Sequence, residues 1–182
     1  MGSMGFDAVR PVAGAGDGDE GSGFAAFAGR ERSALVAFAW SLTGDRASAE
    51  DLAQEALETA WKHWHRVGDY DKPGAWARRV VANRATDRGR RRQRESRALR
   101  RLTGLAATDF PLEPPDRQFW SAVRRLPRRQ AETVALHYLE DRSVKDIAGI
   151  LGISAGAVKS HLHRGRLALA QELGLTKEEP NR

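Results

Sequence analysis

The sequence predicts an all-α chain of two small helical units joined by a flexible linker, and three observations carry that prediction. Apolar residues recur at three- and four-residue steps over most of the chain after Gly23. Alternating runs of β-branched residues, the mark of strands, are few. One stretch, residues 102–116 with Gly104, Pro111, Pro114 and Pro115, interrupts the helical pattern and reads as part of a linker. A length of 182 residues allows one or two small domains with modest cores and leaves no room for a large enzyme barrel.

The elements follow in chain order. Met1-Gly2-Ser3-Met4 reads as a cloning scar, and residues 1–22 as a disordered Gly/Asp-rich tail without the apolar core of a signal peptide. Residues 23–96 form the first unit. Phe24, Phe27, Ala34, Leu35 and Phe38 predict one or two helices ending near Leu42, with Thr43-Gly44-Asp45 as the turn. Ala49, Leu52, Ala53, Ala56, Leu57, Ala60, Trp61 and Trp64 then make one apolar stripe on a second helix, so both tryptophans are expected in the core. Ser48 is the expected cap, with Glu50 and Asp51 in the first turn, where the helix dipole favours negative charge. Residues 67–72 read as a loop. Pro73 suits the first turn of a helix reaching about Arg94.

After a linker at 97–115, a second unit spans 116–174, followed by a tail at 175–182. Its expected helices are Arg117 to Leu126, Pro127 to about Leu139, Val144 to Leu151, and a last one capped by Ser154. Val144, Ile147, Ala148 and Leu151 give a short buried face, Gly152 a tight turn, and Val158, Leu162 and Leu169 pack the last helix back. This spacing is that of a helix-turn-helix, whose second helix lies in the major groove of DNA. The outward face then carries Ser154, Ala155, Gly156, Lys159, Ser160 and His163, with Arg164 and Arg166 at its flanks, the arginines suited to phosphates. A plain helical hairpin is the bland alternative.

Charge is unevenly distributed. The net +6 resolves into 6 basic and 11 acidic residues over 1–70, 17 basic and 6 acidic over 71–130, and 7 of each over 131–182. An acidic front beside a basic middle points to two different partner surfaces. The basic block centres on the Pro73 helix, where Trp76, Val80, Asn83 and Asp87 share one side among Arg78, Arg79, Arg84, Arg88, Arg90, Arg91, Arg92 and Arg94. Arginines beside aromatics such as Trp76 and Tyr70 suit single-stranded nucleic acid, the cations tracking phosphates while aromatic faces accept unstacked bases. Both aromatics equally suit a core. On the Ser48 helix, Asp51, Gln54, Glu55, Glu58 and Lys62 face away from the apolar stripe, and spacing alone reads this as a solvated surface before a docking face.

Several chemistries are excluded. With no cysteine there is no disulfide, thiolate metal site or thiol nucleophile, which suits a reducing cytosol. His63/His65 and His161/His163 are two apart on helices and diverge. Ala34 to Trp40, the longest apolar run, is far short of the roughly 20 residues of a bilayer span. There is no phosphate-binding glycine loop or nucleophile elbow, so a protein that is not an enzyme, without cofactor, metal or small-molecule substrate, is expected.

These signals, in this order, resemble the extracytoplasmic-function sigma factors of bacterial RNA polymerase over residues 24–173. The resemblance rests on Asp51-Leu52-Ala53-Gln54-Glu55-Ala56-Leu57 with Trp61, on Trp76 to Arg92 with Asn83 and Asp87, on Leu126-Pro127-Arg128-Arg129-Gln130, and on residues 158–166. It implies a cytoplasmic transcription initiation factor whose partners are core RNA polymerase (β and β′ subunits), promoter DNA and an anti-sigma protein. By that resemblance Asp51, Leu52, Gln54, Glu55 and Glu58 would dock on the β′ clamp. Tyr70, Trp76, Arg79, Asn83, Asp87, Arg90 and Arg91 would take the melted minus-ten strand, with one base flipped out of the stack. The helix-turn-helix residues named above would read the minus-thirty-five duplex, its domain resting on the β flap, while the linker with Asp109, Glu113 and Asp116 would follow the RNA exit path. Ala155 and Ala157 depart from the glutamate and threonine frequent in relatives, and His161 from an arginine. The rival readings are a dimeric helix-turn-helix operator-binding regulator, which leaves the arginine helix unused, and an RNA-binding protein, for which no single-strand-binding sheet is visible.

Overall fold

The computed structural model describes residues 20–99 and 117–175, apart from the side chains of residue 20 and of residues 87–99. It contains α1 (Glu20–Thr43), α2 (Arg46–Lys62), α3 (Trp64–Val67), α4 (Pro73–Leu99), α5 (Arg117–Arg125), α6 (Arg128–Tyr138), α7 (Val144–Leu151) and α8 (Ala155–Glu172). The described residues are helical apart from short connections, as the periodicity predicts. The expected helices before Leu42 are one continuous helix. It begins at Glu20, inside the stretch read as a tail, and α4 runs on to Leu99, into the stretch read as linker.

In the first unit α1, α2 and α4 pack on one another, and alanines set the spacing. Ala49, Ala53, Ala56 and Ala60 on α2 are buried, and their small side chains let α2 approach α1 closely. Leu35, Phe38, Leu52 and Val81 fill the space between them, each fully buried. The start of α2 differs from expectation. Asp45 is the cap, accepting from the Ser48 backbone N–H at 2.9 Å, and the helix begins at Arg46. Asp45 prevails because Gly44, at φ +69°, turns the chain at that point and leaves Asp45 extended, the conformation an N-cap needs.

Trp61 corrects a second expectation. It is 51 % exposed, packed at a tilt against Phe24 at 5.0 Å between ring centroids, while Trp64 is half-buried against Phe24 and Phe27. The apolar stripe is wider than the core can cover at the C-terminal end of α2, where only the first turns of α1 lie opposite.

The second unit forms as predicted. Ser143 caps α7 through Asp146 N–H, and Gly152 ends it in the left-handed region at φ +64°. Ser154 caps α8, accepting from Ala157 N–H at 3.1 Å. The helices close on Ile147, Ile150, Leu151, Val158, Leu162 and Leu169 from α7 and α8 and on Val123, Val134, Ala135 and Leu136 from α5 and α6. Gly165 lets α8 cross α6, since a Cβ there would meet Val134 Cγ2 at 2.9 Å. The two units touch along α1 with α5 and α6, and along α4 with α7.

Candidate nucleic-acid interface

Three faces hold the candidate residues. On α2, Asp51, Gln54 and Glu58 are exposed, and Gln54 Nε2 donates to Glu58 Oε1 at 3.1 Å. Glu55 is half-buried and bound across the helix pair by Arg84, whose Nη1 lies 2.6 Å from Glu55 Oε2 while Nη2 donates to Thr59 at 2.9 Å. The acidic face is thus tied to the middle of the basic helix. Leu52 does not belong to this surface. Its side chain is fully buried in the first unit, so it positions the face from beneath and is unable to touch a partner.

On α4 the arginines divide into different roles. Arg78, not expected to differ from its neighbours, is only 2 % exposed. Its guanidinium donates to Glu31 Oε2 at 2.6 Å, to the Gly74 carbonyl at 2.9 Å and to Glu140 Oε2 at 2.5 Å. A buried cation requires such partners, because an isolated charge loses far more hydration than packing returns. The periodicity contains the signal for it. Ala77, Val81 and Ala82 are buried, and Arg78 falls among them on the inward stripe rather than opposite it.

Arg79 is half-buried, its guanidinium lying against Gly152 of the helix-turn-helix. Asn83 is exposed and its Oδ1 accepts from Arg128 Nη2 at 3.2 Å. Trp76 is half-buried, packed on the core by one side, and Tyr70 is 9 % exposed, so the latter is chiefly a core residue. The side chains of Asp87, Arg90 and Arg91 lie outside the described residues.

On α8, Ala155, Gly156, Lys159, His163 and Arg164 are exposed and Ser160 half-exposed, in one band that begins at the Ser154 cap. Arg166 is held by α6 instead. Its Nε donates to Tyr138 Oη at 2.8 Å, its Nη2 lies 3.1 Å from His137 Nε2, and the guanidinium stands 5.6 Å over the Tyr138 ring. His161 is half-buried, so it lies off the exposed band. Among the described residues no group of three or more His, Asp and Glu converges as a metal site, and no helix is long and apolar enough to cross a membrane.

The Sigma-70 region 2 family matches residues 27–95 and the Sigma-70 region 4 family residues 116–169, one to each helical unit. Among curated relatives, an ECF RNA polymerase sigma factor SigL of Mycobacterium tuberculosis is 35 % identical over 159 residues, covering 79 % of this chain and 86 % of its own. An RNA polymerase sigma-E factor of Streptomyces coelicolor is 34 % identical, covering 77 % and 80 %. Among solved structures, the sigma factor RpoE of Bartonella quintana, in complex with the anti-sigma factor NepR, superposes with a TM-score of 0.67 at 29 % identity, over 85 % of this chain and 98 % of that one.

Proposed function

We propose, from the premise that this chain belongs to the extracytoplasmic-function sigma factors of RNA polymerase, that each of its three faces has its own partner in transcription initiation. Asp51, Gln54, Glu55 and Glu58 dock core polymerase. Trp76, Arg79 and Asn83 with the basic continuation of α4, including Asp87, Arg90 and Arg91, take the melted minus-ten strand, and Tyr70 supports them from the core. The α8 band from Ser154 to Arg164 reads the minus-thirty-five duplex, with Arg166 positioned at its edge.

One observation carries this reading: a single chain holds an acidic helix face tied to an arginine helix in one unit and a capped helix-turn-helix in the other. The physical division of labour follows. Carboxylates on α2 repel DNA phosphates and suit a protein partner, arginines on α4 attract a displaced strand, and α8, capped at its start, presents small residues that admit close approach to base edges. An anti-sigma protein, of the kind NepR is to RpoE, is a further expected partner.

Size-exclusion chromatography with purified core RNA polymerase separates this reading from the dimeric operator-binding one. The sigma reading predicts co-elution with core and a monomer on its own. A stable dimer that binds duplex operator and leaves core untouched would support the rival.

A further inference from the structure

Arg84 is an arginine of α4 that turns away from the face assigned above to the melted strand. Trp76, Val80 and Asn83 share one side of the helix, whereas Arg84 continues the inward stripe of Ala77 and Val81 at four- and three-residue steps. Its side chain reaches α2, where two guanidinium nitrogens are engaged. Nη1 donates to Glu55 Oε2 at 2.6 Å, and Nη2 donates to Thr59 Oγ1 at 2.9 Å. The Thr59 hydroxyl donates in turn to the Glu55 backbone carbonyl at 2.7 Å, so its proton is already placed and a lone pair is left for Arg84. One fork on α4 thus grips two residues a turn apart on α2. We infer that Arg84 is a positioning residue of the α2 docking face: with Thr59 it fixes the Glu55 carboxylate for a basic surface of core polymerase, and it takes no part in holding DNA phosphates. The partner rests on the function proposed above; the geometry rests on the contacts alone.

The side chains of Arg84 and Glu55 are 37 % and 36 % exposed. A pair open to that degree adds little to the stability of the fold, because water screens it and two long side chains must be ordered to make it. What the pair changes is the freedom of the carboxylate. The bond from Gln54 to Glu58 joins two exposed side chains of the same helix, whereas Glu55 is braced from a second helix. A side chain ordered before association does not have to be ordered during it, and the difference appears as affinity. Charge acts in the opposite direction, since a cation beside Glu55 reduces the attraction of the acidic face for a basic partner. Positioning and neutralisation therefore predict changes of opposite sign when Arg84 is removed. Lysine separates shape from charge, because its compact ammonium does not reproduce a planar fork spanning Glu55 and Thr59.

Each variant of the full chain would compete with a fluorescent copy of the parent for purified core RNA polymerase, with urea unfolding run alongside to confirm that each is folded. Arg84→Ala should bind core about five-fold more weakly, with an unfolding midpoint close to the parent's. Arg84→Lys should recover only part of that loss, and Thr59→Val should bind about two-fold more weakly. Glu55→Gln should weaken binding by itself, and adding Arg84→Ala to it should change little further, because the carboxylate being positioned is then gone. Binding of a single-stranded minus-ten oligonucleotide by the holoenzyme should keep its salt dependence in Arg84→Ala. Tighter or unchanged core binding by Arg84→Ala, full recovery with lysine, or losses from Arg84→Ala and Glu55→Gln that simply multiply would overturn the positioning role. So would a salt slope lowered by about 0.7, the mark of one lost phosphate contact on a single strand. A Glu55→Gln chain that binds core as tightly as the parent would instead contradict α2 as the docking face, and the role of Arg84 with it.

Discussion

Arg78 offers the sharpest test of how the two units are held together. Its guanidinium is 3 % exposed and serves Glu31 on α1, the Gly74 carbonyl and Glu140. Arg78→Met fits the inward stripe by volume but strands two carboxylates. Breaking a buried pair by removing one partner costs about 3–5 kcal/mol. The low end applies here, because Glu31 is 24 % exposed and Arg142 remains 3.1 Å from Glu140. A loss of about 3 kcal/mol is a large share of the roughly 5–15 kcal/mol that keeps a domain folded. Urea unfolding followed by circular dichroism would measure it. Glu140→Gln alone should cost less, since Arg78 keeps Glu31. The double variant should be less destabilised than Arg78→Met alone, because the carboxylate left unpaired is then neutral. The two changes share a contact, so their costs should fail to add by about 1–3 kcal/mol. Costs that add to within about 0.5 kcal/mol would refute the argument that Arg78 and Glu140 act as one buried unit.

Other outcomes follow from the same contacts. Asp51→Ala with Gln54→Ala should weaken core-polymerase binding in a competition assay while binding of duplex minus-thirty-five DNA is kept; Arg79→Ala or Asn83→Ala should impair open-complex formation more than core affinity, and exchanged phenotypes would reverse the assignment of faces. Leu52→Ala should cost about 2–5 kcal/mol in urea unfolding, the loss expected of a core leucine rather than of a surface contact. Ser154→Ala should cost about 1 kcal/mol by removing the α8 cap, a loss that thermal unfolding would register. Gly152→Ala should cost about 1 kcal/mol or more, because alanine is strained at φ +64° and its Cβ would displace the Arg79 guanidinium.

The second unit was the more legible part of the chain, because its punctuation is local. Gly152 and Ser154 each act on the backbone within a few residues, and each sits where it is read in sequence, while the Ser143 cap, which the reading leaves unnamed, is equally local. The first unit hides its logic in tertiary contacts. Ser48 and Asp45 both suit a cap, and only the turn at Gly44 decides between them. Trp61 continues a perfect apolar stripe, yet the stripe outruns its neighbour and leaves the ring half outside. Leu52 stands inside a motif whose other members are polar, and a motif does not say which members face inward.

The arginine helix shows the limit most clearly. Net charge and aromatic neighbours mark α4 as basic, and the same signal covers arginines with opposite fates. Arg78 and Arg84 are spent on Glu31, Glu140 and Glu55, while Arg79 reaches the second unit. Counting cations along a sequence gives the sign of a surface; partners remote in sequence determine which cations remain for nucleic acid. Arg166 is the same lesson on α8, where Tyr138 and His137 claim a side chain that spacing alone places at the flank of the reading face.

The proposed function is that this chain directs core RNA polymerase to promoters. Run-off transcription with purified core polymerase on a genomic promoter library tests it most directly. Transcripts are expected from discrete start sites only when the chain is present, passing through heparin-resistant open complexes, and lost with Arg79→Ala plus Asn83→Ala. Absence of any chain-dependent start site across the library, with core polymerase active on another sigma factor, would contradict it.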